Sequence, residues 1–362
     1  MIGCCLFGAA CKGGPGGASG PGPTVERASP TGDARNIMLG FGSIPPARTS
    51  DAYISTFATA AQYADAIVIR RAPPWSDFLP GASVSKDTAD TTSLETRLLK
   101  QYSNLKLVYE IDPTDPTVQR SRIANLPSGV DPAKGFADPR IQSALKEYVT
   151  YVVSNYHPEY LAIGVEINML YERNRDQFND FVTLYDEAYS IAKAASPKVK
   201  VFPTFQLEDL LGTASDVHPP DWQMLDAFTG KMDAFAFSTY PYLGSIKSAG
   251  DIPAAYYAQV RDHWTGDVLV VSAGYPSAPV EGQAVAGSEQ DQQAYLNRLL
   301  GDAEKLGFML VSWEAPFDPS YAVTGTDTAY KDTGLRHSDG ANKLAWSVWE
   351  QWARRPLGSH KG

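Results

Sequence analysis

Residues 268–277 read VLVVSAGYPS. Four apolar residues, three of them β-branched, run directly into a segment of small residues with a glycine and a proline. The apolar half shows no polar alternation, so it reads as a strand buried on both faces. The second half reads as a loop leaving the strand's carboxyl end. Ser272 stands at the junction, which is where enzymes built on parallel strands keep their chemistry.

The same kind of apolar run recurs along the chain. Working outward from 268–272, it appears at 37–42, 66–70, 105–111, 160–165, 199–205, 233–238 and 308–313, eight runs in all. Between them lie stretches of helical period: 178–195 (FNDFVTLYDEAYSIAKAA), 141–156, 291–306 and 343–352 carry apolar side chains three and four apart. Eight β–α units without a second shift in composition predict a single-domain α/β fold, the closed (β/α)8 or TIM barrel, over residues 36–356. An open doubly wound sheet is the alternative. The absence of G-x-G-x-x-G and of a P-loop argues against it, and there is no G-x-S-x-G and no H-E-x-x-H.

Bulk properties narrow the function. The net charge of −10 leaves no basic stripe to neutralise phosphates, so a nucleic-acid partner is not expected. The five histidines are scattered without ligand spacing, so neither a metal nor a cofactor is expected. All three cysteines, Cys4, Cys5 and Cys11, lie in the first eleven residues, so no disulfide staples the body. Residues 1–11 are short, apolar and rich in small residues, and 12–35 form a Gly/Pro-rich linker. The pair resembles the end of a bacterial lipoprotein signal, which implies a lipid on Cys11 as a membrane tether and an extracytoplasmic location. The basic residues that normally open such a signal are missing. Residues 357–362 read as a tail. The oligomeric state leaves no trace in the sequence.

In a barrel of this kind the carboxyl ends of the strands form the working face. The polar and aromatic residues expected there are Arg70 and Arg71 with Trp75 nearby, Glu110 and Asp112, Glu166 and Asn168, Gln206, Thr239 and Tyr240, Ser272, Trp313 and Glu314. Several carboxylates, an arginine and a few aromatics suit a carbohydrate, whose hydroxyls hydrogen-bond and whose ring faces stack. Glu166 is the sharpest candidate. It follows a strand with no other charge, and burial there is expected to raise its pKa toward that of a general acid.

YLAIGVEIN (160–168), FAFSTYPYL (235–243) and GYPS (274–277) resemble a clan of β-glycoside hydrolases on (β/α)8 barrels, with catalytic glutamates after strands four and seven. More narrowly, PEYLAIGVEINMLYERN, VFPTFQLEDL, GSEQDQQAYL and GLRHSDGANKLAW look like a bacterial group described as similar to endo-β-1,4-galactanases. The resemblance covers about Ile37 to Trp352. It implies that Glu166 is the acid/base, that Tyr240 lies near the nucleophile and that Trp313 floors a sugar subsite.

Two positions depart from the clan. Val165 stands where an asparagine usually precedes the acid/base, and Ser272 stands where the strand-seven glutamate is expected. A neutral hydroxyl with no base beside it cannot replace a carboxylate nucleophile. Glu314, Glu110 and Asp112 are the candidates for a second carboxylate. If Trp313 faces the pocket, as the resemblance implies, strand alternation tends to turn Glu314 away from it, unless Glu314 swings inward once the strand has ended. A sugar-cleaving enzyme and an inactive sugar-binding barrel therefore both remain readings of the sequence.

Overall fold

The computed structural model describes residues 21–214, 218–322 and 325–358. Nine parallel strands alternate with helices: β1 (Met38–Gly42), β2 (Ala66–Arg71), β3 (Lys106–Ile111), β4 (Tyr160–Ile163), β5 (Lys200–Phe202), β6 (Thr204–Gln206), β7 (Phe235–Thr239), β8 (Val268–Ala273) and β9 (Leu310–Trp313). Their order in the sheet is β5-β4-β3-β2-β1-β9-β8-β7-β6. β5 pairs only with β4 and β6 only with β7, and the two are halves of one stave interrupted at Pro203. Proline has no N–H for the ladder, so the single run expected at 199–205 splits there. The result is a single (β/α)8 barrel of eight staves, as the sequence predicts.

The helices are α1 (Ser50–Tyr63), α2 (Trp75–Phe78), α3 (Lys86–Gln101), α4 (Pro139–Tyr156), α5 (Asn168–Arg173), α6 (Arg175–Ala195), α7 (Leu207–Leu210), α8 (Gln259–His263), α9 (Glu289–Lys305) and α10 (Leu344–Arg354). α4 starts where Asp138 accepts the Arg140 N–H and Pro139 takes the first turn, where a missing N–H costs nothing. α6 buries Phe178, Phe181, Leu184, Tyr185, Ala188 and Ala192, the three-and-four spacing visible in the sequence. Each large side chain of that face contributes roughly 1.5–3 kcal/mol by leaving water. None of the helices described is long and apolar enough to cross a membrane.

Strand side chains alternate between two cores. Met38, Ala66, Val68, Val108, Ala162, Phe202, Ala236, Leu269, Val271 and Leu310 belong to the cluster that fills the barrel. Their neighbours Leu39, Ile67, Ile69, Leu107, Leu161, Val270, Val311 and Trp313 pack outward against the helices. This two-residue period decides which strand-end residues can reach the barrel axis.

Cys11 and the segment around it lie outside the described residues. The expected linker meets the barrel before residue 36: Pro23 accepts the Tyr102 hydroxyl at 2.8 Å, and Arg35, almost fully buried, pairs with Asp65. Leu357, expected in the tail, bridges Arg35 in parallel at the other end of the chain.

Candidate active site

At the carboxyl end of β2, Arg70 and Arg71 part company. Arg70 is buried toward the barrel axis, with Nε donating to Glu110 Oε2 at 2.6 Å and Nη1 lying 3.7 Å from Glu314 Oε1. Arg71 points outward, where its guanidinium pairs at 2.5 Å with the buried Glu95 of α3. Only Arg70 therefore belongs to the strand-end cluster.

Glu166 follows β4 in a left-handed backbone conformation (φ 50°), just after Gly164 at φ 91°. A Cβ on Gly164 would meet the Phe181 ring at 2.6 Å, so glycine is required there. A non-glycine residue at φ 50° is sparsely populated, and its strain is held by neighbours. The Glu166 N–H donates to Thr204 Oγ1 at 3.0 Å, and the next N–H, of Ile167, to the Thr204 carbonyl at 2.9 Å. The carboxylate accepts from Ser238 Oγ on Oε1 at 2.5 Å and from Arg120 Nε on Oε2 at 2.7 Å.

Arg120 is a residue the sequence reading did not single out. It sits in the loop after β3, fully buried, at φ 61° directly after Gln119 at φ 55°. Its Nη1 also pairs with Asp112 Oδ1 at 2.6 Å. Arg120 thus holds Glu166 and Asp112 together.

This corrects the expected pKa of Glu166. Burial alone does push the carboxyl up, but the positive charges of Arg120 and then Arg70, with the Ser238 hydroxyl, outweigh it and hold Glu166 below the usual 4.5. Opposite charges about 4 Å apart attract by about 4 kcal/mol at an effective dielectric of 20, several times the free energy of one pKa unit. Glu110 goes the other way. Fully buried, with Arg70 only partly compensating and Glu314 and Asp112 adding negative charge, it rises to about 7. Its Oε1 and Arg120 Nη2 have no hydrogen-bond partner among the described residues.

Across the barrel, Tyr240 follows β7. Its hydroxyl lies 2.5 Å from Ser272 Oγ and donates to Glu314 Oε2 at 2.9 Å, and the Ser272 hydroxyl also donates to Glu314 Oε2. Strict alternation would send Ser272 outward after Val271. A β-bulge prevents this: Phe237 pairs with Val270 but Ser238 with Ser272, and on the other side Val270 pairs with Val311 but Ala273 with Trp313. Two residues of β8 thus oppose one on each neighbour, and both Val271 and Ser272 face inward.

Glu208 is a second buried carboxylate that sequence reasoning missed. It accepts from Thr239 Oγ1 at 2.6 Å, the Tyr240 N–H at 3.0 Å and the Tyr256 hydroxyl at 2.9 Å, and from Gln206 Nε2. Burial raises its pKa despite these donors. It anchors the backbone that carries Tyr240. Nothing in the local sequence LEDL marks it out.

Besides Arg71 on Glu95 and Thr239 on Glu208, four more candidates are used elsewhere. Trp313 was expected to face the pocket, but it belongs to the outward core, is fully buried against Tyr295 and donates its indole N–H to the Thr333 carbonyl at 2.7 Å. The alternation argument was right and its phase was reversed: Glu314 takes the inward face. Trp75 donates to the Ala124 carbonyl and lines a separate cavity of about 380 Å³ with Arg71, Tyr109, Tyr148, Tyr151 and Tyr156. Asn168 and Gln206 clamp each other. The Asn168 amide donates to the Gln206 carbonyl and to Asp209, and accepts the Gln206 N–H at 2.8 Å. The remaining candidates, Arg70, Glu110, Asp112, Glu166, Tyr240, Ser272 and Glu314, form one buried cluster with Arg120 and Ser238.

No protein-family model matches the sequence, and a search of curated proteins finds no match. In structure the chain is similar to an exo-β-1,4-mannosidase from Opitutaceae bacterium strain TAV5, with a TM-score of 0.66 and 15% identity, over 92% of this chain and 62% of that one. It thus spans less than two thirds of that mannosidase. A GH5_18 protein from Bifidobacterium longum subsp. longum gives 0.65 and 15% over 89% and 81% of the two chains. A variant from the same organism is solved with Manβ1-4GlcNAc. The β-glycosidase BGL167 gives 0.59 and 12% over 85% and 87%. At these identities the likeness is one of fold, a (β/α)8 barrel shared with glycoside hydrolases.

Proposed function

We propose that the chain is a glycoside hydrolase acting on β-linked oligo- or polysaccharide, with Glu166 as its acid/base carboxyl. The observation that carries this reading is the Glu166 carboxylate itself. It is buried at a strand end in strained backbone, aligned by Arg120 and Ser238, within one cluster that also holds Glu110, Asp112 and Glu314. Cleaving a glycosidic bond takes one carboxyl to protonate the departing oxygen and another to act at the anomeric carbon. The mannosidase and the Manβ1-4GlcNAc complex among the structural neighbours support a carbohydrate ligand. The galactanase-like stretches of sequence add β-galactan to the substrates worth trying. A lipid on Cys11 and an extracytoplasmic location complete the proposal, on the strength of the sequence alone.

The test is a panel of aryl β-glycosides of mannose, glucose and galactose, with β-mannan, β-glucan, β-galactan and xylan, given to wild type and Glu166→Gln. Turnover that falls roughly 10²–10⁴-fold in the variant on substrates needing protonation supports the reading. One observation favours a second reading, a barrel that binds sugar without cleaving it: Ser272 occupies the position where the resemblance places a glutamate. Saccharide binding by calorimetry with no turnover on any substrate selects that reading. Neither binding nor turnover removes both.

A further inference from the structure

We propose that Glu314 is the second catalytic carboxylate, so that the group working against Glu166 has moved from β8 to the end of β9. This rests on the hydrolase reading above and specifies it.

Three features of the fold put Glu314 there. Leu310 fills the barrel interior while Val311 and Trp313 face the helices, so the period of two carries Ser312 and Glu314 inward. β1 contributes no side chain at Gly40 or Gly42 to block them: a Cβ on Gly42 would meet the Glu314 carbonyl oxygen at 2.0 Å, and one on Gly40 would meet Ser312 Cβ at 3.1 Å. Finally, the bulge in β8 turns residue 272 toward the same point, and a serine there is small enough to lie beside the Glu314 carboxylate and donate to it.

Hydroxyl donors and a guanidinium surround this carboxylate and fix its orientation. Tyr240 and Ser272 hydroxyls donate to Oε2, and Arg70 lies 3.7 Å from Oε1. The other two carboxylates are committed differently. Glu110 sits opposite Ala162, four residues before Glu166 in the chain, and gives Oε2 to Arg70. Asp112 gives Oδ1 to Arg120 and Thr114. Ser272 is then a packing partner of the working carboxylate, filling the space a longer side chain from β8 would take.

The direct test replaces the carboxylate by a small anion. Glu314→Ala is given 2,4-dinitrophenyl β-glycosides of mannose, glucose and galactose, with and without sodium azide. Azide attacks the anomeric carbon from the face that Glu314 vacates, and the C–O bond to dinitrophenolate breaks with its electron pair leaving on oxygen. The expected result is a loss of roughly 10³-fold without azide, restored turnover with it, and an α-glycosyl azide as product. Wild-type-like turnover in Glu314→Ala, no rescue, or a β-glycosyl azide overturns the assignment. Should Glu314→Ala not fold, Glu314→Gln keeps the size and one acceptor: a similar loss in kcat at unchanged KM and melting temperature upholds the proposal, and retained turnover overturns it. If Glu166→Gln loses activity while the Glu314 variants keep it, the hydrolase reading stands and this inference fails. If wild type turns over none of the three glycosides and none of the polysaccharides above, both fall.

Discussion

Arg120 and Glu166 form an ion pair at 2.7 Å with both side chains removed from water, tying the loop after β3 to the turn after β4. The arginine reaches this point through two successive left-handed residues, Gln119 and Arg120. The pair biases the charge of the site: burial alone would raise the Glu166 pKa, and the Arg120 guanidinium, with Arg70 and the Ser238 hydroxyl, brings it below the usual value. It also makes the loop part of the buried strand-end cluster rather than a connector.

A depressed pKa at Glu166 has a kinetic signature. Substrates with poor leaving groups need the protonated form, whose fraction falls about tenfold per pH unit above the pKa. Turnover of an unactivated disaccharide or polysaccharide should therefore decline from below pH 4.5 upward. Dinitrophenyl glycosides, whose leaving group needs no proton, should stay active to higher pH. Parallel pH–rate profiles that decline together near neutrality would contradict this.

Removing Arg120 should be costly and informative. Arg120→Ala leaves Asp112 and Glu166 buried without their cation, which predicts destabilisation by about 3–5 kcal/mol in urea unfolding. In the protein that still folds, the Glu166 pKa rises, and the alkaline limb of the disaccharide profile should move toward neutral pH. A loss of stability with no shift of that limb would mean that Arg120 does not govern the charge of Glu166.

Glu110 makes stability depend on pH. Its pKa rises from 4.5 to about 7 on folding, so the folded state binds the extra proton between those values. The native state is thus favoured at low pH, and this contribution is lost as pH rises from 4.5 through 7. At about 1.4 kcal/mol per unit the full effect is about 3–4 kcal/mol. Glu110→Gln keeps an acceptor for Arg70 and removes the titration. Its melting temperature, compared with wild type at pH 5 and pH 8, should gain most at pH 8. An equal change at both values would rule Glu110 out as the source.

Gly42 tests how closely β1 and β9 approach. A methyl group there meets the Glu314 carbonyl oxygen at 2.0 Å, and because that oxygen is backbone and cannot swing aside, the strands must separate. Gly42→Ala should cost about 1–3 kcal/mol as an overpacking change and lower kcat by displacing Glu314. Gly32→Ala, with open space around it but a left-handed φ of 79°, should lose stability without altering kcat per folded molecule.

Local pattern made much of this protein legible. Eight apolar runs such as VLVVS and the helical period of 178–195 are short-range signals of burial on two faces and on one, and together they imply a barrel. Glu166, Arg70, Glu110, Asp112, Tyr240, Ser272 and Glu314 were also readable as strand-end residues, because position after an apolar run is a local property. Arg120 was not, since its loop has neither period nor motif and its partners are 8 and 46 residues away.

What the tertiary structure alone decided was phase. Alternation says that Trp313 and Glu314 face opposite ways, but only the closed sheet tells which way is in, and it turns the glutamate inward and the tryptophan out. The bulge in β8 shifts the phase again within a single strand, bringing Ser272 back to the axis beside Glu314 and Tyr240. Local pattern was enough to show that a strand runs into Ser272 and that no carboxylate stands there. That Glu314 reaches the same point from the next stave follows from inter-strand pairing and from the room left by two glycines on β1, and neither has a signature within the span of one strand.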